Sequence, residues 1–410
     1  MDQPAMGATV NGRSIPDRPD LGRMRAERFA RLQEILTSQE LDGLVLLGSS
    51  AVTYAAGLAA PGEDSGRAGL FRPVVVVAKG EPAPHVYTAA RDGVPPDLPY
   101  EHVHGPLFPD LDESGEDLME ALSAHFTAGS RLAVDDQTHP MLRHLGAYAW
   151  QDGRAALAPA KLCKTPDELA CIREAQRISE LAMVDALKAL RPGVRQTDLS
   201  AAFLRRAFEL GASAGSIDPI WQVMPPWKTQ GPWTSHGDLA YPTATTDRFL
   251  REGDVIWVDA GILWQGYASD YGRTWITGAR PDPTPRQRAQ FQRWRYVVDA
   301  ALEVLKPGVS AGALCRAATE ANDGVRPWMQ HFYLAHGVGT DSAEMPLVGT
   351  DLGPDFDEAQ KMEPGMVVVL EPVIWDDGAS GYRAEDIVAV TDFGWAPLSG
   401  PTYEPFMVER

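Results

Sequence analysis

Short apolar runs alternate with amphipathic segments through the first part of the chain. The apolar residues of Arg23–Gln39 and of Glu116–Phe126 recur at helical spacing, so each segment predicts a helix that covers a core. Runs of strand length lie around these helices, at Leu41–Gly48, Pro73–Ala78 and Arg131–Val134. This alternation predicts an α/β layered domain, which we assign to residues 1–157.

The histidines of this first part show no pattern that is typical of a metal site. Five of the nine in the chain precede residue 140, namely His85, His102, His104, His125 and His139. None has ligand spacing with an acidic residue, and His102 and His104 alternate as residues on one face of a strand do. We therefore expect partly exposed polar side chains here.

A domain boundary is predicted between Leu157 and Lys164, where the strand pattern ends. A helix begins directly afterwards, because Thr165 suits the N-cap position and Pro166 suits the first helical position. Glu168 completes a capping box with Thr165. The second domain is assigned to residues 158–410.

This second domain contains an internal repeat. ALKALRPGV at Ala186–Val194 matches ALEVLKPGV at Ala301–Val309, and in both a helix stops at Pro-Gly. Further along, Gly253 precedes an apolar run that reaches Asp259, and Gly365 precedes one that reaches Glu371 with the same spacing. Two landmarks in the same order predict a duplicated half-domain with pseudo-twofold symmetry.

Each half carries two acidic residues at matching places, Asp259 and Asp270 in the first, Glu371 and Glu385 in the second. Taken alone, Asp259 and Asp270 are equally well explained as turn and capping residues. If the halves pack about their pseudo-dyad, however, four carboxylates meet in one cavity. Divalent cations are the natural compensation for such a charge, and His336, in a glycine-rich segment, can add an imidazole.

Composition limits the kinds of partner. The 410 residues carry a formal net charge of −19, which disfavours nucleic acid and anionic membrane surfaces. Three cysteines without CxxC spacing indicate a reducing compartment, and no apolar run is long enough to span a membrane. We expect a cytoplasmic protein without a signal peptide.

At these residues the sequence resembles the pita-bread metallohydrolase family, which includes prolidase, aminopeptidase P, methionine aminopeptidase and creatinase. Residues 253–274 resemble its DxG…SD…RT element, and residues 336–339 its HGxG element. Residues 371–372 and 381–386 resemble its two glutamate elements. The first domain is similar to the creatinase-type N-terminal α/β domain of prolidases.

The resemblance implies a pseudo-twofold pita-bread α+β catalytic domain and a homodimer. It also implies two divalent metal ions (Mn, Co, Fe or Zn), with a water or hydroxide as the nucleophile. The implied metal ligands are Asp259, Asp270, His336, Glu371 and Glu385.

Two departures from the family pattern concern groups that move protons. Peptidases of the family usually carry a histidine where this chain has Ala343, and another in a segment like 239–243, where none occurs. His236, Tyr241 and Tyr382 are candidate replacements, and Arg383 is a candidate for steadying the metal-binding glutamates.

Three functions remain open from the sequence. The first is a dinuclear hydrolase of small amides, most simply an Xaa-Pro dipeptidase or aminopeptidase. The second is a non-peptidase enzyme, an amide or ring hydrolase or a lyase acting on a small metabolite on the same metal scaffold. The third is a catalytically silent binding protein, which the complete ligand set disfavours.

Overall fold

The fold is taken from a computed structural model, which describes residues 8–58, 72–111, 115–230, 245–278 and 283–400. The chain divides into an N-terminal unit, Pro19–Leu162, and a C-terminal unit, Met1–Arg18 with Cys163–Arg410. A hairpin of β1 (Thr9–Val10) and β2 (Arg13–Ser14) belongs to the C-terminal unit. The boundary predicted after residue 157 falls inside the last helix of the N-terminal unit.

The N-terminal unit is a mixed six-stranded sheet with helices, in the strand order β6-β5-β4-β3-β7-β8. Its helices and strands are α1 (Leu21–Ser38), β3 (Gly43–Leu46), α2 (Ser49–Ala56), β4 (Val74–Ala78), β5 (His85–Tyr87), β6 (Val103–His104), α3 (Gly115–Ser123), β7 (Arg131–Val134), β8 (Ala149–Asp152) and α4 (Gly153–Leu162). The central strands β3 and β4 are buried along their whole length, as their continuous apolar runs predict.

The C-terminal unit contains the predicted duplication. Its first half comprises α5 (Pro166–Ala189), α6 (Gln196–Glu209), β9 (Ala214–Met224), β10 (Val255–Trp264), β11 (Tyr267–Ala268) and β12 (Tyr271–Ile276). Its second half comprises α7 (Pro285–Val304), α8 (Ala311–Ala321), β13 (Ala335–Gly337), β14 (Glu344–Val348), α9 (Pro354–Ala359), β15 (Val367–Leu370), β16 (Val373–Trp375), β17 (Gly381–Arg383), β18 (Asp386–Val390) and β19 (Trp395–Pro397).

Each half begins with a helix pair joined through Pro-Gly. The two glycines, Gly193 and Gly308, have φ of +85° and +84°, a conformation that glycine adopts without a steric penalty. Thr165 caps α5 as predicted, since its side chain accepts from the amide of Glu168 while Glu168 accepts from the amide of Thr165. The repeated sequence thus produces the same local structure twice.

Each helix pair is followed by an antiparallel sheet. In the first half, β10 pairs with β9, β11 and β12. In the second, the order is β14-β13-β15-β18-β19. No helix among the residues 8–58, 72–111, 115–230, 245–278 and 283–400 is long and apolar enough to cross a membrane.

Candidate metal centre

The first half contributes two aspartates from one face of its sheet. Asp259 lies inside β10, and so its alternative explanation as a turn residue is wrong. Across the ladder Asp259 pairs with Gly272 of β12. Asp270 precedes Gly272 by two residues, which is the side-chain period of a strand, and it therefore comes to the same face as Asp259.

The second half contributes a histidine and a glutamate by the same rule. His336 of β13 pairs with Val369 of β15. Glu371 follows Val369 by two residues, and its amide donates to the carbonyl of Leu334 at 3.1 Å, which extends the pairing past the end of β15. Alternation along the extended strand brings Glu371 to the face of His336.

Glu385 joins the two halves. It lies between β17 and β18, and its amide donates to the carbonyl of Gly272 at 3.0 Å. A Cβ atom at Gly272 would stand 2.4 Å from the carboxyl carbon of Glu385. The missing side chain of Gly272 is what lets the Glu385 carboxylate reach Asp259 and Asp270, whose ligand oxygens lie within 4.8 Å of its own.

All five predicted ligands are buried, with 1–3% of each residue exposed. Arg383 is buried among them and contacts three of their four carboxylates. Its guanidinium lies 3.2 Å from Asp259 Oδ2 and 2.7 Å from Glu385 Oε1, and it also donates to Glu371 Oε2. That it steadies the metal-binding glutamates stays a prediction.

One arginine does not satisfy this many carboxylates. Within the described part of the chain, the buried oxygens Asp270 Oδ1 and Glu385 Oε2 accept no hydrogen bond. Burial, followed by the neighbouring Asp259 and Glu371 carboxylates, raises the pKa of Asp270 well above its usual value. Burial and Asp270 raise the pKa of Glu385 in the same direction. Buried oxygens that need a positive charge fit a divalent cation.

The imidazole of His336 is oriented for the same purpose. Its Nδ1 lies 2.8 Å from the carbonyl of Gly337, a contact that the Nδ1–H tautomer makes by donation. Its Nε2 faces Asp270 Oδ2 at 3.2 Å and Glu371 Oε1 at 3.4 Å. A nitrogen lone pair directed between two carboxylates is the arrangement of a mixed oxygen and nitrogen metal site.

Of the other predicted catalytic residues, the structure describes Tyr382 and does not bring it to these carboxylates. His236 and Tyr241 lie outside the described residues. Tyr382 is adjacent to Arg383 on β17, so it points to the opposite face, where its ring lies 5.6 Å from Phe291 and 5.5 Å from Trp294. Burial raises its pKa well above the usual value, which does not favour proton exchange near neutrality.

Three residues that the sequence analysis does not single out contact the predicted ligands or Arg383. The Tyr333 ring lies 4.9 Å from that of His336, and Gln176 accepts from the amide of Asp270 at 3.3 Å. Thr274 Oγ1 both donates to the carbonyl of Arg383 and accepts from its amide. Thr274 belongs to the RT step of the predicted element, whereas no sequence signal marks Tyr333 or Gln176.

The sequence of this chain matches a known protein family. Residues 170–392 match Metallopeptidase family M24, a span that contains all five predicted ligands and more than half of the chain. The chain belongs to metallopeptidase family M24. This M24 chain is 28% identical over 236 residues to the Xaa-Pro dipeptidase of Pyrococcus furiosus, covering 57% of the chain and 62% of that protein. It is 34% identical over 168 residues to a probable dipeptidase PepE of Mycobacterium tuberculosis, covering 40% of the chain and 42% of the relative.

Solved structures show the pita-bread fold. The prolidase of Pyrococcus horikoshii superposes with a TM-score of 0.71 at 20% identity, covering 93% of this chain and all (100%) of that one. The dipeptidase PepE of Mycobacterium ulcerans superposes with a TM-score of 0.69 at 23% identity, covering 95% and 99% of the two chains. These likenesses bear out the predicted two-domain pita-bread architecture.

Proposed function

We propose that this M24 chain is a metal-dependent hydrolase that cleaves Xaa-Pro dipeptides. The observation that carries the proposal is the convergence of four buried carboxylates and one imidazole from both halves of the duplicated unit. Relatives named Xaa-Pro dipeptidase support the substrate class. The alternative, a non-peptidase enzyme on the same scaffold, gains no support from these relatives.

We propose that Asp259, Asp270, His336, Glu371 and Glu385 hold two divalent ions. A set of four carboxylates and one imidazole suits Mn, Co, Fe or Zn. When bound, such ions polarise a substrate carbonyl and supply hydroxide at neutral pH.

The protein's own contribution is to hold and orient these groups. The contact between His336 Nδ1 and the Gly337 carbonyl fixes the ring so that Nε2 faces the carboxylates. Arg383 donates to the Glu371 and Asp259 carboxylates, in a site where all five predicted ligands have little exposure to water. Exclusion of water strengthens each electrostatic contact with the substrate.

Ala343 bears on the rate of this reaction. It is exposed, in the segment just before β14, and it offers no proton-transfer group. A positioned acid or base typically contributes about 10²–10⁴-fold to a rate. We therefore expect slower turnover than a chain with histidine at this position would give.

A turnover assay on a panel of Xaa-Pro dipeptides tests the function. Chain reconstituted with Mn²⁺, Co²⁺, Fe²⁺ or Zn²⁺ is compared with Glu371→Ala and with Glu320→Ala, an exposed glutamate at the end of α8. The proposal expects turnover that is lost in the first variant and kept in the second. A metal-loaded parent chain without turnover on any Xaa-Pro dipeptide would overturn it.

We propose further that the protein is a cytoplasmic homodimer. All three cysteines lie in described segments and none forms a disulfide, which supports a reducing compartment. The family resemblance supports the dimer. Light scattering after gel filtration tests the assembly, and a mass near that of one 44.6 kDa chain would contradict it.

A further inference from the structure

The N-terminal unit brings four histidines together at one side of its sheet. They come from β5, from a 3-10 turn at Tyr100–His102, from β6 and from the segment after α3: His85, His102, His104 and His125. The His85 ring stacks on that of His102 with centroids 4.0 Å apart, and it lies 4.1 Å from that of His125. The expectation of partly exposed side chains is wrong for His85 and His102, which are buried.

Hydrogen bonds set which nitrogens carry protons. His102 Nδ1 lies 3.1 Å from the carbonyl of Ala83, and because a carbonyl only accepts, this nitrogen is the donor of the contact. His85 Nδ1 is hydrogen-bonded to His104 Nε2 at 3.0 Å. His85 Nε2 is buried and, among the residues that the structure describes, has no hydrogen-bond partner. A buried nitrogen without a partner calls for a ligand.

An acidic residue completes the donor set. One oxygen of Glu81 and one nitrogen each of His85 and His102 all lie within 4.8 Å of one another. His85 and His102 are 8% and 7% exposed. The Nε2 of His85, which has no hydrogen-bond partner among the described residues, is a nitrogen that a neutral imidazole can offer to a metal ion.

We propose that Glu81, His85 and His102 bind one zinc ion, with His104 as the positioning residue that orients His85. Two imidazoles and a carboxylate suit zinc better than manganese or magnesium, which prefer oxygen ligands. Because a lone pair lies in the plane of its ring, the stacked His85 and His102 rings cannot both face one ion as they stand. We infer that His102 turns about its Cβ–Cγ bond when the ion binds and gives up its contact with the Ala83 carbonyl, so that the bond between His85 and His104 is kept.

Such an ion would crosslink one edge of the six-stranded sheet. Glu81 follows β4, His85 begins β5, and His102 immediately precedes β6, the edge strand. β5 and β6 form only two residue pairs, Val86 with Val103 and Tyr87 with His104. Zinc would tie this short ladder to the turn after β4. The site is structural by position, and it is independent of the proposed hydrolase function.

Zinc binding to the full-length chain tests the proposal. Zinc per chain is measured by equilibrium dialysis and plasma mass spectrometry for the parent, for His85→Gln/His102→Gln, and for His139→Gln, an exposed histidine outside the cluster. The double variant is expected to hold about one ion fewer than the parent, and the control the same number. Equal zinc content in the parent and the double variant would overturn the proposal.

Two further measurements separate this site from the carboxylate centre and from misfolding. In Asp270→Asn/His336→Gln, which removes the imidazole of the carboxylate centre, the remaining zinc is expected to show imidazole scattering in its X-ray absorption spectrum. Loss of all zinc, or a spectrum without that scattering, would overturn the proposal. His104→Gln, at a partly exposed position, should still bind the ion but about 10–100-fold more weakly. Unchanged affinity in a variant with the parent's circular dichroism would contradict the role of His104.

Discussion

Gly272 gives the sharpest test of how the metal centre is built. It faces Asp259 across the ladder of β10 and β12, and the Glu385 side chain lies over it. An alanine Cβ at this position would lie 2.4 Å from both the carboxyl carbon and Oε1 of Glu385, whereas ordinary contacts begin at 3.4 Å. In Gly272→Ala, the Glu385 carboxylate must therefore move by about 1 Å, because the packing around the new Cβ atom holds the backbone in place.

A displacement of this size has a predictable cost. A misplacement of about 1 Å in a reacting group can lower a rate by about 10²-fold, which corresponds to about 2.7 kcal/mol of activation free energy. We expect Gly272→Ala to lose about this much in kcat/KM on an Xaa-Pro dipeptide, together with metal affinity. Gly215→Ala is the matched control in the same sheet, because its nearest atom would lie 3.6 Å from the new Cβ.

The assay combines steady-state kinetics with metal content per chain, and circular dichroism confirms that both variants are folded. If folded Gly272→Ala binds metal and turns over substrate like Gly215→Ala, the close approach of Glu385 to Gly272 does not position a ligand. The account of the site as a junction between the two halves would then be refuted.

Three other predictions follow from the charges and exposure around the site. In the metal-free chain, burial and Asp270 raise the pKa of Glu385, so the folded chain keeps a proton that the unfolded chain releases. The free energy of unfolding should therefore fall as pH rises above about 4, by about 1.4 kcal/mol per pH unit for each such proton. Urea unfolding at successive pH values should show this slope flattened by Glu385→Gln or by saturating Mn²⁺, and an equal slope in all three samples would contradict it. Arg383→Met removes the guanidinium that contacts three buried carboxylates. In denaturant unfolding it should lower the stability of the metal-free chain by about 3–5 kcal/mol, and by less when metal is bound. A metal-free variant as stable as the metal-free parent would show that Arg383 does not compensate the negative charge of these carboxylates. Ala343→His should raise kcat/KM on Xaa-Pro dipeptides by about 10²-fold, because the exposed position has room for an imidazole. The control Ala343→Gln should leave kcat/KM unchanged. No gain from histidine would refute a proton-transfer role at this position.

Local signals were reliable wherever the cause of the structure is local. The capping box at Thr165 depends on residues three apart, and the Pro-Gly stops at Gly193 and Gly308 depend on a single backbone conformation. The repeat predicted equivalent halves for the same reason, since similar segments fold alike. The apolar run that reaches Asp259 does not mark the end of its strand. β10 continues past Asp259, because pairing with β9 and β12 sustains it.

The sequence by itself therefore determined the cap of α5, the Pro-Gly stops, the duplication and which acids lie at matching places in the two halves. Only the tertiary structure decided that Glu385 passes over Gly272, that Arg383 contacts three of the carboxylates, and that Tyr382 packs away from them. It also decided that four histidines meet in the N-terminal unit. The physical reason is the same in each case. Sheet register and chain crossing set these contacts between residues far apart in the sequence, and no periodicity within one segment encodes them.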